Sequence, residues 1–167
     1  FGEHSALPHA RPGNSKLTPD SPILLDFGCV VDGYASDMTR MVHFGRPSSE
    51  FSTTYALVQT ALDRSQFRAA AGMTGKELDA VARDTFRQAG VESLFSHSLG
   101  HGVGLEIHEW PSVSSRNSDK MPEQCIITIE PGLYLSGNYG IRIENMVQLS
   151  KDGCHVLNDL STDLVVL

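Results

Sequence analysis

The chain has few cysteines and no long apolar run. Its 167 residues include three cysteines, Cys29, Cys125 and Cys154, which are widely spaced and form no Cys-x-x-Cys pair. This pattern argues against a thiolate zinc site and favours a reducing, cytoplasmic setting. Cys29 and Cys125 lie in apolar runs, where we expect them to be buried. No apolar segment approaches the roughly 18 residues of a membrane span and no signal peptide is visible, so we expect no membrane association.

Basic residues are also scarce. There are 13 of them against 20 acidic residues, which gives a formal net charge of −7. No basic run offers a phosphate-binding surface, so we expect no nucleic-acid partner. The length is sufficient for one domain with a sizeable core. The chain begins at Phe1 and soon reaches a strand-like unit with no upstream helix, so we interpret residues 1–167 as one partial domain of a longer protein.

The stretch richest in reactive side chains is residues 97–109. It contains three histidines and two glutamates separated by glycines: His97, His101, His108, Glu106, Glu109, Gly100, Gly102 and Gly104. Imidazole is a common metal ligand and also carries protons near neutral pH, while glycine lets a second strand or a ligand approach the backbone. A solvated loop is the alternative interpretation. The carboxylates elsewhere in the chain favour a functional site instead.

A β-hairpin is predicted in the first quarter of the chain. Ile23–Val31 is an apolar run typical of a strand, Asp32-Gly33 is a strong turn signal, and Tyr34–Phe44 reads as the returning strand. With Asp32 and Gly33 as the two turn residues, the numbers of paired residues sum to 65. This register decides which side chains share a face.

Two acids become neighbours in this hairpin. Asp26 faces Thr39, Asp37 faces Gly28, and the two acids are therefore diagonal neighbours on one face. A carboxylate in an apolar strand is costly to bury unless it is paired or bound to metal. The pair can hold cations between them. The alternative is one Asp in a turn and the other paired with Arg40.

Two helices and a loop are predicted before the second group of strands. Ser48–Ala70 and Thr74–Gly90 have helical spacing of apolar residues, and Thr74 with Glu77 forms a capping box. Their apolar stripes are typical of core. Pro111–Glu123 is polar and serine-rich, which predicts a loop.

The hairpin pattern then recurs. Cys125–Ile129 is an apolar strand that leads into Glu130, and Tyr139–Leu149 is a returning strand that carries Glu144. An apolar strand thus again ends in an acid, turns and returns with a second acid. The register stays open, because Pro131-Gly132 predicts a bulge.

Four carboxylates, all of which we expect to be buried, and one histidine make an oxygen-rich site. Such ligands suit Mn²⁺, and the imidazole adds tolerance for Co²⁺, Fe²⁺ and Zn²⁺. Four negative charges are too many for one ion, whereas two divalent ions neutralise them. A two-metal site activates a bridging water and stabilises an oxyanion, which predicts hydrolysis of an amide or a related bond.

These motifs resemble those of the pita-bread metallopeptidases, the fold of methionine aminopeptidase, aminopeptidase P and prolidase. The resemblance spans nearly the whole chain and rests on five stretches: residues 25–28, 36–40, 97–109, 128–132 and 142–144. It implies an α+β pita-bread fold, truncated at its N-terminus and without the family's usual N-terminal domain. The edge left by the missing part favours pairing with another chain, including a homodimer, or aggregation.

The resemblance implies five metal ligands: Asp26, Asp37, His101, Glu130 and Glu144. Asp37 and Glu144 would bridge two ions. Asp26 would serve one ion, with His101 and Glu130 on the other.

The same resemblance implies the catalytic roles. Glu130 would also act as general base toward the metal-bridging hydroxide or water, and His108 would steady the intermediate or the scissile carbonyl. His97 and His9 match substrate-side histidines. Arg142 matches an arginine that helps in proton handling or carboxylate binding.

Three further residues are placed around this site. Thr128 is expected to hydrogen-bond a ligand carboxylate. Tyr34 and Trp110 either pack around the pocket or belong to the core, and we expect core packing for both.

Residues 5–9 look like the Xaa-Pro branch of the family, which implies peptide or dipeptide substrates that contain proline. Prolidase cleaves dipeptides that end in proline, and aminopeptidase P removes a residue ahead of proline from longer peptides. Two alternatives share the fold: a non-catalytic protein-binding module and a metal-independent, creatinase-like amidinohydrolase. The five intact ligands argue against both.

Overall fold

The computed structural model describes residues 1–7, 10 and 13–167. Two α-helices lie between two groups of strands. In chain order the elements are β1 (Ser21–Phe27), β2 (Val30–Val31), β3 (Tyr34–Ala35), β4 (Met38–Phe44), α1 (Ser49–Arg68), α2 (Gly75–Gln88), β5 (Gly100–Gly102), β6 (Glu109–Val113), β7 (Ile126–Ile129), β8 (Gly132–Leu135), β9 (Tyr139–Arg142), β10 (Asn145–Ser150), β11 (Gly153–Val156) and β12 (Val165–Val166). The predicted loop at 111–123 therefore begins inside a strand, β6.

The first hairpin has the predicted register. Asp26 pairs with Thr39 in the β1–β4 ladder, and Val31 pairs with Tyr34 in the β2–β3 ladder, so both follow the sum of 65. Asp32 and Gly33 both have positive φ, as this tight turn requires. The ladder is interrupted between β1 and β2, where the Cys29 N–H donates to Ser36 Oγ. The prediction of a continuous strand over Ile23–Val31 is thus wrong at this interruption.

The second hairpin has one register across two sheets. Asn145 pairs with Ile129 in the β7–β10 ladder, and Gly132 pairs with Arg142 in the β8–β9 ladder. The paired numbers sum to 274 in both ladders, so no extra residue is inserted. The chain passes from one ladder to the next without a change of register, so the described residues contain no bulge at Pro131-Gly132, contrary to expectation.

The helices pack against a five-stranded sheet with the order β11-β10-β7-β5-β6, while β1, β4 and β12 form a separate sheet. Ser48 caps α1 by accepting from the Phe51 N–H, and Thr74 and Glu77 form the predicted capping box of α2. Fully buried apolar residues of both helices and the sheet share one core, among them Val58, Leu62, Leu78, Phe86, Ile127 and Ile129. The metal motifs lie where the two groups of strands meet.

Several side chains are more exposed than the sequence predicts. Tyr34 is 64% and Trp110 57% exposed, so neither is a core residue. Cys29, which lies at the interruption between β1 and β2, is exposed, and Cys125 is only partly buried. The expectation that both are buried is therefore wrong. All three cysteines have free thiols. Within the described residues, neither helix is long and apolar enough to cross a lipid bilayer.

The glycines of residues 97–104 permit close backbone contacts. A β-carbon on Gly100 would lie 2.0 Å from the Thr128 carbonyl oxygen, and one on Gly102 would lie 2.3 Å from the Trp110 carbonyl oxygen. Only glycine lets β5 sit between β6 and β7 at these distances. The close approach of another strand explains why glycine alternates with the site residues here.

We expect Gly100→Ala to lower the free energy of unfolding by about 1–3 kcal/mol, because the backbone of β5 or β7 must move to admit the methyl group. Urea denaturation measures the change. Gly13→Ala is the control, since its added methyl meets no described atom within 4 Å. Equal unfolding free energies for the two variants would contradict the packing described here.

Candidate metal centre

A cavity of about 600 Å³ opens at the meeting point of the two groups of strands. Its wall contains each predicted site residue that the structure describes: Asp26, Asp37, His97, His101, His108, Glu130, Arg142 and Glu144. His9 lies outside the described residues. Residues far apart in the sequence are thus brought together by the two hairpins and by the β5 segment.

Three predicted ligands form a tight cluster. Ligand atoms of Asp37, His101 and Glu144 all lie within 4.8 Å of one another. His101 Nε2 is 3.6 Å from Asp37 Oδ2 and 3.4 Å from Glu130 Oε1. Asp37 is 8% exposed and Glu144 2% exposed. Four of the five predicted ligands therefore converge on one small volume.

The His101 ring is oriented as a metal ligand requires. Its Nδ1 lies 3.0 Å from the Gly102 carbonyl oxygen, which only accepts hydrogen bonds, so Nδ1 carries the proton. Nε2 then presents a lone pair toward the carboxylates. Burial lowers the pKa of His101, which favours this neutral form. A backbone carbonyl that fixes the tautomer in this way is typical of metal-ligating histidine.

The carboxylates carry more negative charge than their surroundings compensate. Burial, followed by the charge of Asp26, raises the pKa of Asp37. Burial and then the charge of Glu144 raise the pKa of Glu130 well above its ordinary value. Burial and then Asp37 raise the pKa of Glu144 to about 7. Grouped buried acids of this kind require a cation or must take up protons.

Asp26 lies apart from the tight cluster. Its side chain is 47% exposed and accepts a hydrogen bond from Arg142 Nη2 at 2.5 Å. The expectation that all four acids are buried is therefore wrong for Asp26. The inner end of β1 is covered, whereas its last residues become exposed as the strand approaches the cavity mouth.

Sequence reasoning missed a buried network that connects these groups. Thr39 Oγ1 donates to Glu144 Oε2 (2.6 Å) and accepts from Arg142 Nε (3.1 Å). Arg142 Nη1 donates to the Tyr134 hydroxyl (3.0 Å), which also lies 2.8 Å from His97 Nε2. Burial raises the pKa of Tyr134 to about 12, so it stays a neutral phenol. The hairpin register gave a signal for Thr39, which faces Asp26, but the sequence offered none for Tyr134.

The β5 segment is held beside this network. Thr128 Oγ1 accepts from the His101 N–H (3.0 Å) and donates to Glu130 Oε1 (3.2 Å), which is the carboxylate hydrogen bond expected for Thr128. The exposed His108 ring stands against His101, with the ring centroids 4.2 Å apart. His97 and His108 thus border the cluster from the loop segments that precede and follow β5.

The donor set fits divalent cations. Clustered carboxylates supply hard oxygen ligands, and the unprotonated Nε2 of His101 adds one nitrogen ligand. The raised pKa values of three acids show that positive charge is what the cluster lacks. Bound cations would remove this penalty, since each one offsets the repulsion between buried acids.

The metal-free protein should lose stability as the pH rises. Asp37, Glu130 and Glu144 have raised pKa values in the folded chain, so they bind protons more tightly there than in the unfolded chain. The stability that these three groups contribute is fully present below their pKa in the unfolded chain, which is near 4.5 for Glu144. It is lost as the pH rises through their pKa in the folded chain, which is about 7 for Glu144. We expect the free energy of unfolding in EDTA to fall across this window.

Chemical denaturation at several pH values measures this slope, and Glu144→Gln should flatten it. Mn²⁺ added above pH 7 should restore stability. A metal-free protein whose stability is constant or rises from about pH 4.5 to 7 would contradict the charge balance described here.

Comparison with known proteins places the chain in a family. Residues 1–151 match the metallopeptidase family M24. The Xaa-Pro dipeptidase of Lactobacillus delbrueckii subsp. lactis is 39% identical over 166 residues, which are 99% of this chain and 45% of that protein. The chain therefore spans about half the length of the curated relatives it matches.

Two solved structures have the same fold. The X-Pro aminopeptidase from Thermotoga maritima superimposes with a TM-score of 0.97 at 43% identity, over 99% of this chain and 47% of that one. Prolidase from Pyrococcus furiosus superimposes with a TM-score of 0.93 at 39% identity, over 96% of this chain and 48% of that one. The chain belongs to metallopeptidase family M24, and the α+β pita-bread fold expected from its motifs is confirmed.

Proposed function

We propose that the protein is a metallopeptidase that hydrolyses the peptide bond preceding proline, as an Xaa-Pro dipeptidase or an Xaa-Pro aminopeptidase. One observation carries the proposal: ligand atoms of Asp37, His101 and Glu144 lie within 4.8 Å of one another in a cavity that is also lined by His97, His108 and Arg142. A cluster of potential metal ligands and side chains that can carry protons thus share one wall of the cavity. The related dipeptidase and aminopeptidase have names that refer to Xaa-Pro substrates.

Five side chains would hold two divalent ions, Mn²⁺ by preference: Asp26, Asp37, His101, Glu130 and Glu144. Asp37 and Glu144 would serve both ions, a role that fits their burial and their shared cluster with His101. Glu130 lies on the His101 side. Asp26 lies at the rim, where Arg142 orients its carboxylate. When bound, the ions supply a nucleophile from water near neutral pH and offset negative charge that develops on the substrate carbonyl.

The protein's own groups handle the protons. Glu130 is the general base, because its carboxylate lines the cavity next to His101, and in the metal-free chain burial raises its pKa well above the ordinary value. Its Oε1 accepts from Thr128, which leaves Oε2 to take up a proton. Thr39 holds Glu144 by donating to Oε2, so this ligand keeps one orientation while Glu130 changes protonation.

The two histidines and Arg142 act toward the substrate. His108 is exposed on the cavity wall beside His101, where its imidazole can donate to the scissile carbonyl oxygen. The hydroxyl of Tyr134 lies between His97 and Arg142 and fixes both side chains. Arg142 binds a carboxylate on the substrate or helps in proton handling by its hydrogen bond to Asp26, and its guanidinium stays charged throughout. His9 remains a proposed substrate-side residue.

The free thiols support a reducing, cytoplasmic setting, since disulfides are rare there.

A cavity of about 600 Å³ accommodates a dipeptide or the first residues of a longer peptide. Dipeptidase and aminopeptidase activity share the same cluster, so substrate length is the property that must be measured.

The test is hydrolysis of Gly-Pro and of a longer Xaa-Pro peptide, each with added Mn²⁺ and with EDTA. Mn²⁺-dependent cleavage of the dipeptide alone identifies a dipeptidase, and cleavage of the longer peptide identifies an aminopeptidase. Failure to cleave either peptide while two ions are bound would overturn the substrate proposal.

Asp37→Ala should abolish binding of two ions, because a carboxylate that bridges both of them is lost. Elemental analysis after dialysis gives the number of Mn²⁺ ions per chain, and circular dichroism checks that the variant is folded. Two ions retained by a folded Asp37→Ala variant would rule out the bridging role.

His108→Ala should keep its metal content but lower kcat by about 10²–10⁴-fold, the range typical of a group that donates a proton or hydrogen bond to the reacting atoms. The rate on an Xaa-Pro peptide and the metal content are measured on the same sample. An unchanged rate would remove His108 from the mechanism.

A further inference from the structure

Helix α2 carries a fully buried carboxylate that faces the His97–His101 segment. Asp79 is 0% exposed. Its carboxylate accepts from Arg83 Nε at 2.6 Å and from Arg83 Nη2 at 3.3 Å, and it also accepts from the Leu99 N–H at 3.0 Å. A buried acid with three donors has a fixed position. Asp79 therefore ties the backbone at Leu99 to the helix.

Arg83 holds the same segment at two further points. Its Nη2 donates to the His97 carbonyl oxygen (2.7 Å), and its Nη1 donates to the Phe95 carbonyl oxygen (3.3 Å). The guanidinium carbon also stands 4.6 Å from the centroid of the Phe95 ring. One planar cation thus binds a carboxylate, two carbonyl groups and an aromatic face, a combination that a lysine ammonium cannot reproduce.

These contacts lead directly to two proposed catalytic groups. The Phe95 ring packs edge-on against the His97 ring, with 5.0 Å between their centroids. On the other side, the Leu99 carbonyl oxygen accepts from the Glu130 N–H at 2.8 Å. Leu99 therefore donates its N–H to Asp79 and accepts, at its carbonyl oxygen, a hydrogen bond from the backbone of the proposed general base.

We propose that Asp79 and Arg83, here named the α2 clamp, are positioning residues that fix His97 and Glu130 for the reaction. The inference depends on the proposed function for its catalytic part. Among the described residues that line the cavity, neither Asp79 nor Arg83 appears, so the clamp acts through the backbone of residues 95–99 and through the Phe95 ring. A shift of about 1 Å in catalytic groups costs about 10²-fold in rate, so a rigid support matters at this position.

The test compares Arg83→Gln and Asp79→Asn with the control Arg87→Gln. Arg87 lies on the same helix and pairs at the surface with Asp84 and Glu92, both of which lie outside residues 95–99. Hydrogen–deuterium exchange is followed by mass spectrometry on peptides that cover 95–101, α1 and β7. Metal content and steady-state kinetics are measured on the same samples.

We expect both clamp variants to exchange about tenfold faster or more in residues 95–101, with α1 unchanged and metal content retained. Their kcat should fall by about 10–100-fold with little change in KM, because the groups they hold act in the transition state. Arg87→Gln should match the wild type in all readouts. Arg83→Lys should rescue neither exchange nor kcat, because its single ammonium cannot hold all four partners.

Three results would overturn the proposal: unchanged exchange in residues 95–101, faster exchange spread evenly over α1 and β7, or locally faster exchange with unchanged kcat. The first two are read without substrate, so they test the clamp even if the wild type cleaves no Xaa-Pro peptide. The third separates a purely structural ion pair from a positioning role.

Discussion

Repulsion between buried carboxylates is the constraint on which the rest of this structure depends. Asp37, Glu130 and Glu144 lie close together away from water, and their pKa values are raised as a result. Such an arrangement destabilises a fold unless cations occupy it, so the surrounding contacts must hold the acids against their own repulsion. Thr39 and Thr128 do so with hydrogen bonds to two of these acids. In the metal-free chain, the acids that would bind metal thus lower the stability of the fold. Once metal is bound, the same acids would contribute to stability.

The two hairpins place their acids in the site in similar ways. Each brings an apolar strand up to an acid and returns with a second acid, and each ladder is interrupted close to those acids. In the first hairpin the acids are diagonal neighbours, whereas the register of the second sets Glu130 directly across from Glu144. Between them, the glycines of β5 allow His101 to enter at close range. The helices contribute to the site indirectly, by the contacts of α2 with residues 95–99.

Much of this was predictable from local chemistry. The Asp32-Gly33 turn determines the register that pairs Asp26 with Thr39, and the capping box determines where α2 begins. The second register was not predictable, because Pro131-Gly132 is equally compatible with a bulge. Exposure also escaped prediction: an apolar run such as that around Cys29 does not reveal whether another layer covers it. Tyr134 was missed because its hydroxyl connects Arg142, on the neighbouring strand of the same hairpin, with His97, which is 37 residues away in the sequence. Only the tertiary fold brings His97 to this hairpin.

The most direct test of the metal assignment is anomalous diffraction at the manganese edge from crystals of the Mn²⁺-loaded protein. The account predicts two peaks inside the cavity, both in contact with the carboxylates of Asp37 and Glu144, and one of them in contact with His101 Nε2. An empty cavity at saturating Mn²⁺, or peaks that contact none of these three side chains, would contradict the claim that this cluster is built to hold cations.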